Sequence, residues 1–335
     1  QELALDHADT LANDYLERRE THYKIVFRQL VSALLLQVVT STLLLGLGGW
    51  LVKIGQLTLG QLVASWLIVS LVLNAVAKLG RQLEGVYDLL AAADKLGVLL
   101  DLPLEIESGE EPPRGPGPAA LRLEGLRQSW PKGGVTFSGV NLSVEPGQSV
   151  AIYGPSGSGK STLLELIQGQ RPCSGGQIEF DGVELRSLRL ASLRPLIGLA
   201  RSREVVSRSV AENVRLGLNL SLGEVQSALV AVGLWDEVQR LPEGLDEELA
   251  SYGRPLSGGQ ADLLALARVF ASKPRLLLVD GLLDGLDEEA LERVTHALTA
   301  SPDWTLIVAT RRLDVARRFS RRVRLSRSGL EELTS

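Results

Sequence analysis

The chain has 335 residues, a net charge of −5 and 45% hydrophobic residues. It lacks a Lys- and Arg-rich run interleaved with aromatic residues, which argues against a nucleic-acid partner. Its one cysteine, Cys173, excludes an internal disulfide and fits a reducing cytoplasm. There is no Met and no signal pattern at the start, which predicts that Gln1 is an internal boundary of a longer protein.

The first third of the chain predicts long helices. Residues 1–24 place apolar side chains at helical spacing between charges, which predicts an amphipathic cytoplasmic extension helix. Residues 25–101 contain two apolar segments, at about 25–52 and about 57–77, followed by a cytoplasmic extension. Each segment approaches the roughly 20 residues that a bilayer requires. We expect both to span a membrane, and the alternative is a pair of buried core helices in a soluble protein.

Basic residues set the expected orientation of this helical pair. The turn between the segments holds only Lys53, whereas basic residues lie before the first segment and after the second. Because cytoplasmic flanks of membrane helices are enriched in Lys and Arg, we expect both ends in the cytoplasm. The protein is then integral to a membrane, with a bacterial inner or plasma membrane favoured. The flanking basic residues are Arg18, Arg19, Lys24, Arg28, Lys78 and Arg81.

The composition changes after residue 101. Residues 102–118 are rich in Gly, Pro and Glu, which predicts a linker. Residues 119–335 then show short apolar runs typical of buried strands, separated by turn signals and helical spacing. A folded α/β domain is expected there.

A phosphate-binding pattern lies within this domain. Residues 154–161 match G-x-x-x-x-G-K-[ST], with an apolar run at 149–153 before them and helical spacing after them. The glycines let backbone N–H groups turn toward phosphate oxygens, Lys160 reaches the β- and γ-phosphates, and Ser161 offers its hydroxyl to Mg²⁺. The predicted nucleotide-binding residues are Gly154, Pro155, Ser156, Gly157, Ser158, Gly159, Lys160, Ser161 and Thr162.

A second motif makes the pattern specific. Leu256, Ser257, Gly258, Gly259 and Gln260 spell LSGGQ. With both motifs the chain resembles the ATP-binding cassette (ABC) transporters, in which the LSGGQ of one cassette caps the ATP held by another. The resemblance covers nearly the whole chain.

This resemblance implies an exporter-type half-transporter that is truncated at its N-terminus. The implied fold is an α/β P-loop ATPase cassette, with an antiparallel β-subdomain and an α-helical subdomain, preceded by a transmembrane α-helical hairpin. The implied cofactors are ATP and Mg²⁺. The implied partners are a second half-transporter, the lipid membrane and a transported substrate.

The resemblance also assigns roles to single residues. It implies that Trp130 stacks on adenine, although a core tryptophan is the competing interpretation. Asp280 ends an apolar strand, where it would hold the Mg²⁺ shell together with Ser161. Asp287 falls in the D-loop that meets the opposing cassette. Residues 1–24 correspond to the intracellular loop that touches a cassette.

Three positions depart from the family's catalytic pattern. The general base after the strand-ending Asp is replaced by Gly281, the switch histidine by Arg311, and the Q-loop glutamine by Ser202. A glycine cannot accept a proton from the attacking water, and arginine is always charged and lacks an acceptor. Asp284 is the nearest spare carboxylate and a candidate substitute.

These departures predict a site that binds ATP but hydrolyses it slowly, since a lost general base costs about 10² to 10⁴ in rate. The leading hypothesis is the degenerate half of a heterodimeric ABC exporter, which uses ATP binding, and hydrolysis in the assembled dimer, to drive transport. One alternative is a slow homodimeric exporter that uses Asp284. Another is a non-transporting, ATP-sensing regulatory membrane cassette.

Overall fold

The computed structural model describes residues 2–102, 105, 108–130, 134–202, 204–250, 253–300 and 303–333. Residues 103, 104, 106 and 107 of the predicted linker lie outside the described residues. The chain divides into two compact units, Gln1–Leu104 and Glu105–Ser335.

The described helices are α1 (Glu2–Lys53), α2 (Leu59–Leu100), α3 (Lys160–Ile167), α4 (Leu190–Leu193), α5 (Val210–Arg215), α6 (Leu222–Ala231), α7 (Trp235–Gln239), α8 (Gly258–Ala271), α9 (Glu288–Ala300) and α10 (Leu313–Ala316). The described strands are β1 (Leu121–Trp130), β2 (Gly134–Val144), β3 (Ser149–Tyr153), β4 (Gly175–Phe180), β5 (Val183–Glu184), β6 (Ile197–Arg201), β7 (Leu276–Asp280), β8 (Thr305–Thr310), β9 (Arg321–Ser326) and β10 (Gly329–Glu332).

The first unit is the pair α1 and α2. Helix α1 continues without a break through the predicted boundary at residue 24. Helix α2 begins with a capping box: Gln61 N–H donates to the Thr58 hydroxyl at 3.2 Å, and Thr58 N–H donates to the Gln61 side chain at 2.9 Å. A Cβ on Gly48 would lie 2.2 Å from Leu62 Cδ1, so glycine permits the close approach of the two helices.

Both helices contain stretches that are long and apolar enough to cross a membrane, judged by length and composition. The stretches are Ala12–Lys53 and Leu59–Val76. Large apolar side chains along them are exposed, including Leu35, Leu47 and Leu71. The second stretch lies close to the predicted segment at about 57–77, whereas the first ends near the predicted residue 52 but begins at Ala12, well before the predicted residue 25.

The second unit is built on two sheets. The first is antiparallel, with strand order β2-β1-β4-β5. The second has the order β10-β9-β3-β8-β7-β6, and all its neighbouring pairs are parallel except β9 with β10. The fold class inferred from the motifs is therefore confirmed.

The parallel strands are buried on both faces. Every residue of β8 is buried, which explains why its sequence is a continuous apolar run and not an alternating one. Successive residues of β7 and β8 enter two different core clusters. Leu277, Val279 and Val308 pack with the helical region that contains α5 to α8, whereas Leu276 and Leu278 pack with the antiparallel sheet and α3.

This arrangement puts four chain segments at one edge. In parallel strands the carboxyl ends lie side by side, and here β3, β8, β7 and β6 pair in register up to Tyr153, Thr310, Asp280 and Arg201. Ligands of open α/β sheets bind outside this edge. The segments that leave these strands contain most of the predicted site residues.

Candidate functional site

The phosphate pattern forms the loop between β3 and α3. Gly159 has φ of +96°, and a Cβ there would lie 2.7 Å from Thr136 Cγ2 and 2.8 Å from Phe137 Cδ1. Only glycine allows this loop to pass so close to β2. The predicted strand, loop and helix are thus present in the expected order, and the loop is positioned by both sheets.

Lys160 is the buried cation of this loop. Its ammonium donates to the backbone carbonyl of Gly154 at 2.7 Å and of Pro155 at 2.9 Å, and to the Ser158 hydroxyl at 3.4 Å. Burial lowers the pKa of the Lys160 amine, and the nearby carboxylates of Asp284 and Asp280 oppose that shift. The loop therefore keeps a positive charge close to its backbone.

An open cleft of about 670 Å³ lies at the carboxyl edge of the sheet, and we call it the phosphate-loop cleft. It brings together residues that are far apart in the chain, and Arg201 and Thr136 line it beside the predicted residues. The predicted residues that line it are Trp130, Ser156, Gly157, Gly159, Lys160, Ser161, Thr162, Ser202, Asp280, Gly281, Asp284 and Arg311.

Ser161 and Asp280 form the predicted metal-binding pair. The Ser161 hydroxyl donates to Asp280 Oδ1 at 3.0 Å, across the gap between α3 and β7. Hydroxyl and carboxylate oxygens are ligands that Mg²⁺ accepts, and with phosphate oxygens and water it needs only one or two from the protein. Among the described residues no group of three or more His, Cys, Asp or Glu is placed to hold a metal. The pair present fits Mg²⁺ bound together with a nucleotide.

The position after Asp280 carries no side chain. Gly281 adopts φ of +66°, and no heavy atom lies within 4 Å of the place a Cβ would occupy. Its N–H donates to the carbonyl of Ala309 at 2.9 Å. The cleft therefore has open space, and no proton acceptor, at the position assigned to the general base.

Asp284 is tied to the segment that follows β8. Its side chain is only 4% exposed, and it accepts from the Thr310 hydroxyl and from the Arg311 backbone N–H at 3.0 Å. Arg311 Nε also donates to the same carboxylate at 3.2 Å. Both carboxylate oxygens of Asp284 are thus engaged, one by each of these two residues.

The Ser202 side chain contacts α8, the helix that begins within the LSGGQ signature motif. Its hydroxyl donates to Asp262 Oδ1 at 2.9 Å, and Asp262 is a buried residue of α8. Asp262 lies two residues after LSGGQ, so this bond gives it a structural role. It links the end of β6 to the helix that carries the signature motif.

The LSGGQ residues form a second, separate cleft. Ser257 caps α8: Gln260 N–H donates to the Ser257 hydroxyl at 3.2 Å, and Ser257 N–H donates to the Gln260 side chain at 2.8 Å. Leu256 is buried beneath them. Asp287 caps α9 by accepting from Ala290 N–H at 2.8 Å. Ser257, Gly259, Gln260 and Asp287 line this signature cleft with Arg293 and Leu286.

Trp130 is the last residue of β1 and is 40% exposed, so it is not a core tryptophan. The Arg171 guanidinium lies 5.0 Å from the centre of its ring. Arg171 also pairs with Glu165 of α3. The indole thus presents a π-surface at the rim of the phosphate-loop cleft.

Sequence reasoning overlooked Arg201 and Glu165. Arg201 Nη2 donates to Glu165 at 3.0 Å, and Arg201 Nε lies 3.7 Å from Asp280 Oδ2. Arg201 ends an apolar strand, as Asp280 does, but the sequence alone does not show that β6 and β7 are neighbours. Two charged residues that end neighbouring parallel strands meet at the same edge.

The buried parallel sheet, the phosphate loop and the Ser161–Asp280 pair define a P-loop nucleotide-binding domain. Residues 137–282 match the model of the family described as ABC transporter. The chain therefore belongs to the ABC transporter family through its ATP-binding domain.

Among its relatives is the ATP-dependent lipid A-core flippase of Thiobacillus denitrificans, 34% identical over 79% of this chain and 46% of that protein. The multidrug resistance-like ATP-binding protein MdlA of Escherichia coli is 31% identical over 81% of this chain and 46% of its own length. The chain spans about half the length of the curated relatives it matches.

A bacterial Atm1-family ABC exporter solved with ATP bound has a similar structure. The TM-score is 0.74 with 25% sequence identity, and the match covers 90% of this chain and 54% of that one. The relatives thus include exporters, and one of these was captured with the nucleotide that the phosphate-loop cleft is built to receive.

Proposed function

We propose that this chain is the ATP-retaining half of a heterodimeric ABC exporter. The carrying observation is that one cleft combines an intact phosphate loop and Ser161–Asp280 pair with Gly281 and Arg311 at the positions of the base and switch. Such a site keeps the groups that bind ATP and lacks the base and the switch histidine that hydrolysis needs.

Each residue has a defined part in this mechanism. Lys160 and the loop N–H groups bind and neutralise the phosphates, and Trp130 offers its ring to the adenine. Ser161 and Asp280 would hold Mg²⁺, which when bound screens the charge on the phosphates. Because Gly281 has no acceptor atom, no residue at that position orients the attacking water or takes its proton.

The contacts of Asp284 argue against its acting as a substitute base. A base needs a free lone pair within reach of water. The Asp284 side chain is only 4% exposed, and donors of Thr310 and Arg311 occupy three of its roughly four lone-pair sites. The slow homodimer that hydrolyses ATP through Asp284 is therefore the weaker alternative.

The separation of the two clefts supports assembly with a second cassette. The residues of LSGGQ and Asp287 line a cleft that shares no lining residue with the phosphate-loop cleft. In the proposed assembly, the LSGGQ of this chain faces the phosphate loop of another chain. This chain's intact signature cleft would complete a hydrolysing site on a partner that has its own Glu and His.

The long apolar helices support a membrane anchor. Stretches within α1 and α2 are long and apolar enough to cross a bilayer, and relatives of this chain carry the names flippase and exporter. We place the protein in a bacterial inner or plasma membrane, with residues 119–335 in the cytoplasm and residues 1–24 as a cytoplasmic coupling helix. These two helices also argue mildly against the alternative of a non-transporting, ATP-sensing regulatory membrane cassette.

Nucleotide retention tests the proposal. The full chain is purified in lipid nanodiscs and incubated with Mg²⁺ and doubly labelled ATP, and bound nucleotide and released phosphate are counted after rapid gel filtration. We expect bound, intact ATP with almost no phosphate release. Rapid multiple turnover by the chain alone would contradict the proposal.

A second arm distinguishes the assemblies. The tagged chain is purified from its native membranes, and its partner is identified and assayed. We expect a half-transporter with both the Glu and the His, one hydrolysing site and one retaining site per dimer. Capture of a second copy alone would favour the homodimer.

A further inference from the structure

Arg201 introduces a positive charge beside the metal-binding pair. It is paired in register with Asp280 on the neighbouring strand β7. Its guanidinium donates to Glu165 at 3.0 Å, and its Nε lies 3.7 Å from Asp280 Oδ2. Asp280 in turn accepts from Ser161 at 3.0 Å. The Arg201 guanidinium thus lies directly beside Asp280, the proposed Mg²⁺ ligand.

The guanidinium is incompletely satisfied in this position. Arg201 Nε is buried and has no hydrogen-bond partner among the described residues, and the side chain as a whole is 23% exposed. Buried donors of this kind normally find an acceptor. Because Arg201 lines the phosphate-loop cleft, an anion bound there is an acceptor that its guanidinium could gain.

The other two cations that line the cleft, like Arg201, have partners within the protein. Lys160 donates to loop carbonyls, and Arg311 donates to Asp284. The Ser202 hydroxyl, which follows Arg201, donates to Asp262 and so turns away from the metal pair. What distinguishes Arg201 among the described cations of the cleft is its ion pair with Asp280, which places it beside an anion bound at the metal pair.

Simple electrostatics gives the consequence. A guanidinium binds phosphate through two parallel N–H donors, so it can neutralise the same oxygens that Mg²⁺ would. Its charge also repels Mg²⁺ and competes with the metal for Asp280. An arginine here both weakens the metal site and replaces part of the metal's action.

We propose that Arg201 is a built-in cation of the nucleotide site, which lets this chain bind a nucleoside triphosphate with little dependence on Mg²⁺. The inference rests on the proposed function, because it assumes ATP binding at the phosphate-loop cleft. Arg201 contacts the terminal phosphates from the side of Asp280. The retained nucleotide is then held by protein charge, even where the metal is absent.

The test measures binding, not turnover. The full chain in nanodiscs is titrated with a fluorescent ATP analogue, once with excess Mg²⁺ and once with EDTA. For the wild type we expect the two dissociation constants to agree within about threefold. For Arg201→Gln we expect binding in EDTA to weaken by about tenfold or more, equivalent to about 1.4 kcal/mol, with a smaller change in Mg²⁺.

Two further variants act as controls. Arg201→Lys keeps the charge, and we expect it to restore most of the binding in EDTA. Arg122→Gln removes an exposed arginine that pairs with Glu124 on β1, away from the cleft, and should match the wild type. A loss with Arg122→Gln equal to that with Arg201→Gln would overturn the inference.

The remaining outcomes are separable. A wild-type chain that binds in Mg²⁺ but loses more than about tenfold in EDTA overturns the role of Arg201 alone, and this result requires no variant to fold. Equal Mg²⁺ dependence in the wild type and Arg201→Gln overturns it as well. Absence of binding even in Mg²⁺ instead overturns the proposed function.

Discussion

The proposed function implies that ATP turnover can be gained by two substitutions in the phosphate-loop cleft. We predict that Gly281→Glu combined with Arg311→His raises ATP turnover, because the first supplies a proton acceptor and the second a neutral imidazole at the switch position. A general base contributes about 10² to 10⁴ in rate. The structure sets how much of that gain is realised.

The cost lies in the backbone at Gly281. There is space for the new side chain, since no heavy atom lies within 4 Å of the added Cβ. The φ of +66° is unfavourable for a side chain, however, at roughly 1–2 kcal/mol. If this strain raises the activation barrier by the same amount, it lowers the hydrolysis rate by a factor of about 5 to 30, since about 1.4 kcal/mol corresponds to tenfold. The net gain expected is about 3- to 2,000-fold.

Replacing Arg311 leaves Asp284 partly satisfied. The backbone N–H of residue 311 still donates to Asp284, as does the Thr310 hydroxyl, so only the Nε bond is lost. We therefore expect the double variant to fold. Its thermal unfolding would be recorded alongside activity.

The assay is phosphate release at saturating Mg²⁺ and ATP by the full chain in nanodiscs. It is repeated in the captured assembly after the partner's general base is changed to Gln, so that the partner's own turnover does not mask the result. The matched control is Gly281→Gln with Arg311→His, which carries the same backbone strain and no carboxylate. Equal turnover by the Glu and Gln variants would refute the reasoning, as would a wild type that already matches the Glu variant.

Three further predictions follow from single side chains. Asp284→Ala should destabilise the domain by about 1–3 kcal/mol because Thr310 and Arg311 lose their buried acceptor. Asp284→Asn should lose less stability. A fall in ATP turnover with no change in melting temperature would instead make Asp284 a base. Trp130→Ala should weaken ATP-analogue binding by about 2- to 10-fold through lost stacking, with Trp130→Phe in between, and unchanged titrations of all three would remove the adenine contact. Because the pKa of Lys160 is lowered, its amine loses its proton at a lower pH than an ordinary lysine does. Nucleotide affinity should therefore fall as the pH rises through that lowered pKa. The free-energy cost of burying the charged amine should disappear over the same pH range. Binding titrations from about pH 7 to about pH 10 would show this, and Lys160→Arg should abolish the dependence.

The sequence predicted the parts of the site that follow from local patterns. The phosphate loop was evident because glycine spacing and flanking periodicity are local, and Asp280 was evident as an acid that ends an apolar run. The extent of α1 was less clear. Its charge pattern changes near residue 24, but a helix backbone continues through such a change, and α1 extends from Glu2 to Lys53.

Side-chain pairing could not be predicted in the same way. Asp284 and Arg311 were identified separately, one as a spare carboxylate and the other as a lost histidine. Their contact depends on the pairing of β7 with β8, which brings together segments 27 residues apart. The Arg201–Asp280 approach and the Ser202–Asp262 bond depend on the same kind of tertiary neighbourhood. Single positions indicate chemistry, but the sheet decides which of them meet.

The departures in the cleft are therefore not independent losses. A carboxylate buried to the extent of Asp284 requires donors, and Arg311 supplies two of them from its backbone and its side chain. Conversely, a switch histidine at position 311 would leave Asp284 with one donor fewer. Because each of the two residues satisfies the other, they stabilise the edge of the cleft as a pair. This mutual dependence is what the proposed function requires of a site that binds nucleotide without its own base and switch, since the charges of Asp284 and Arg311 remain balanced.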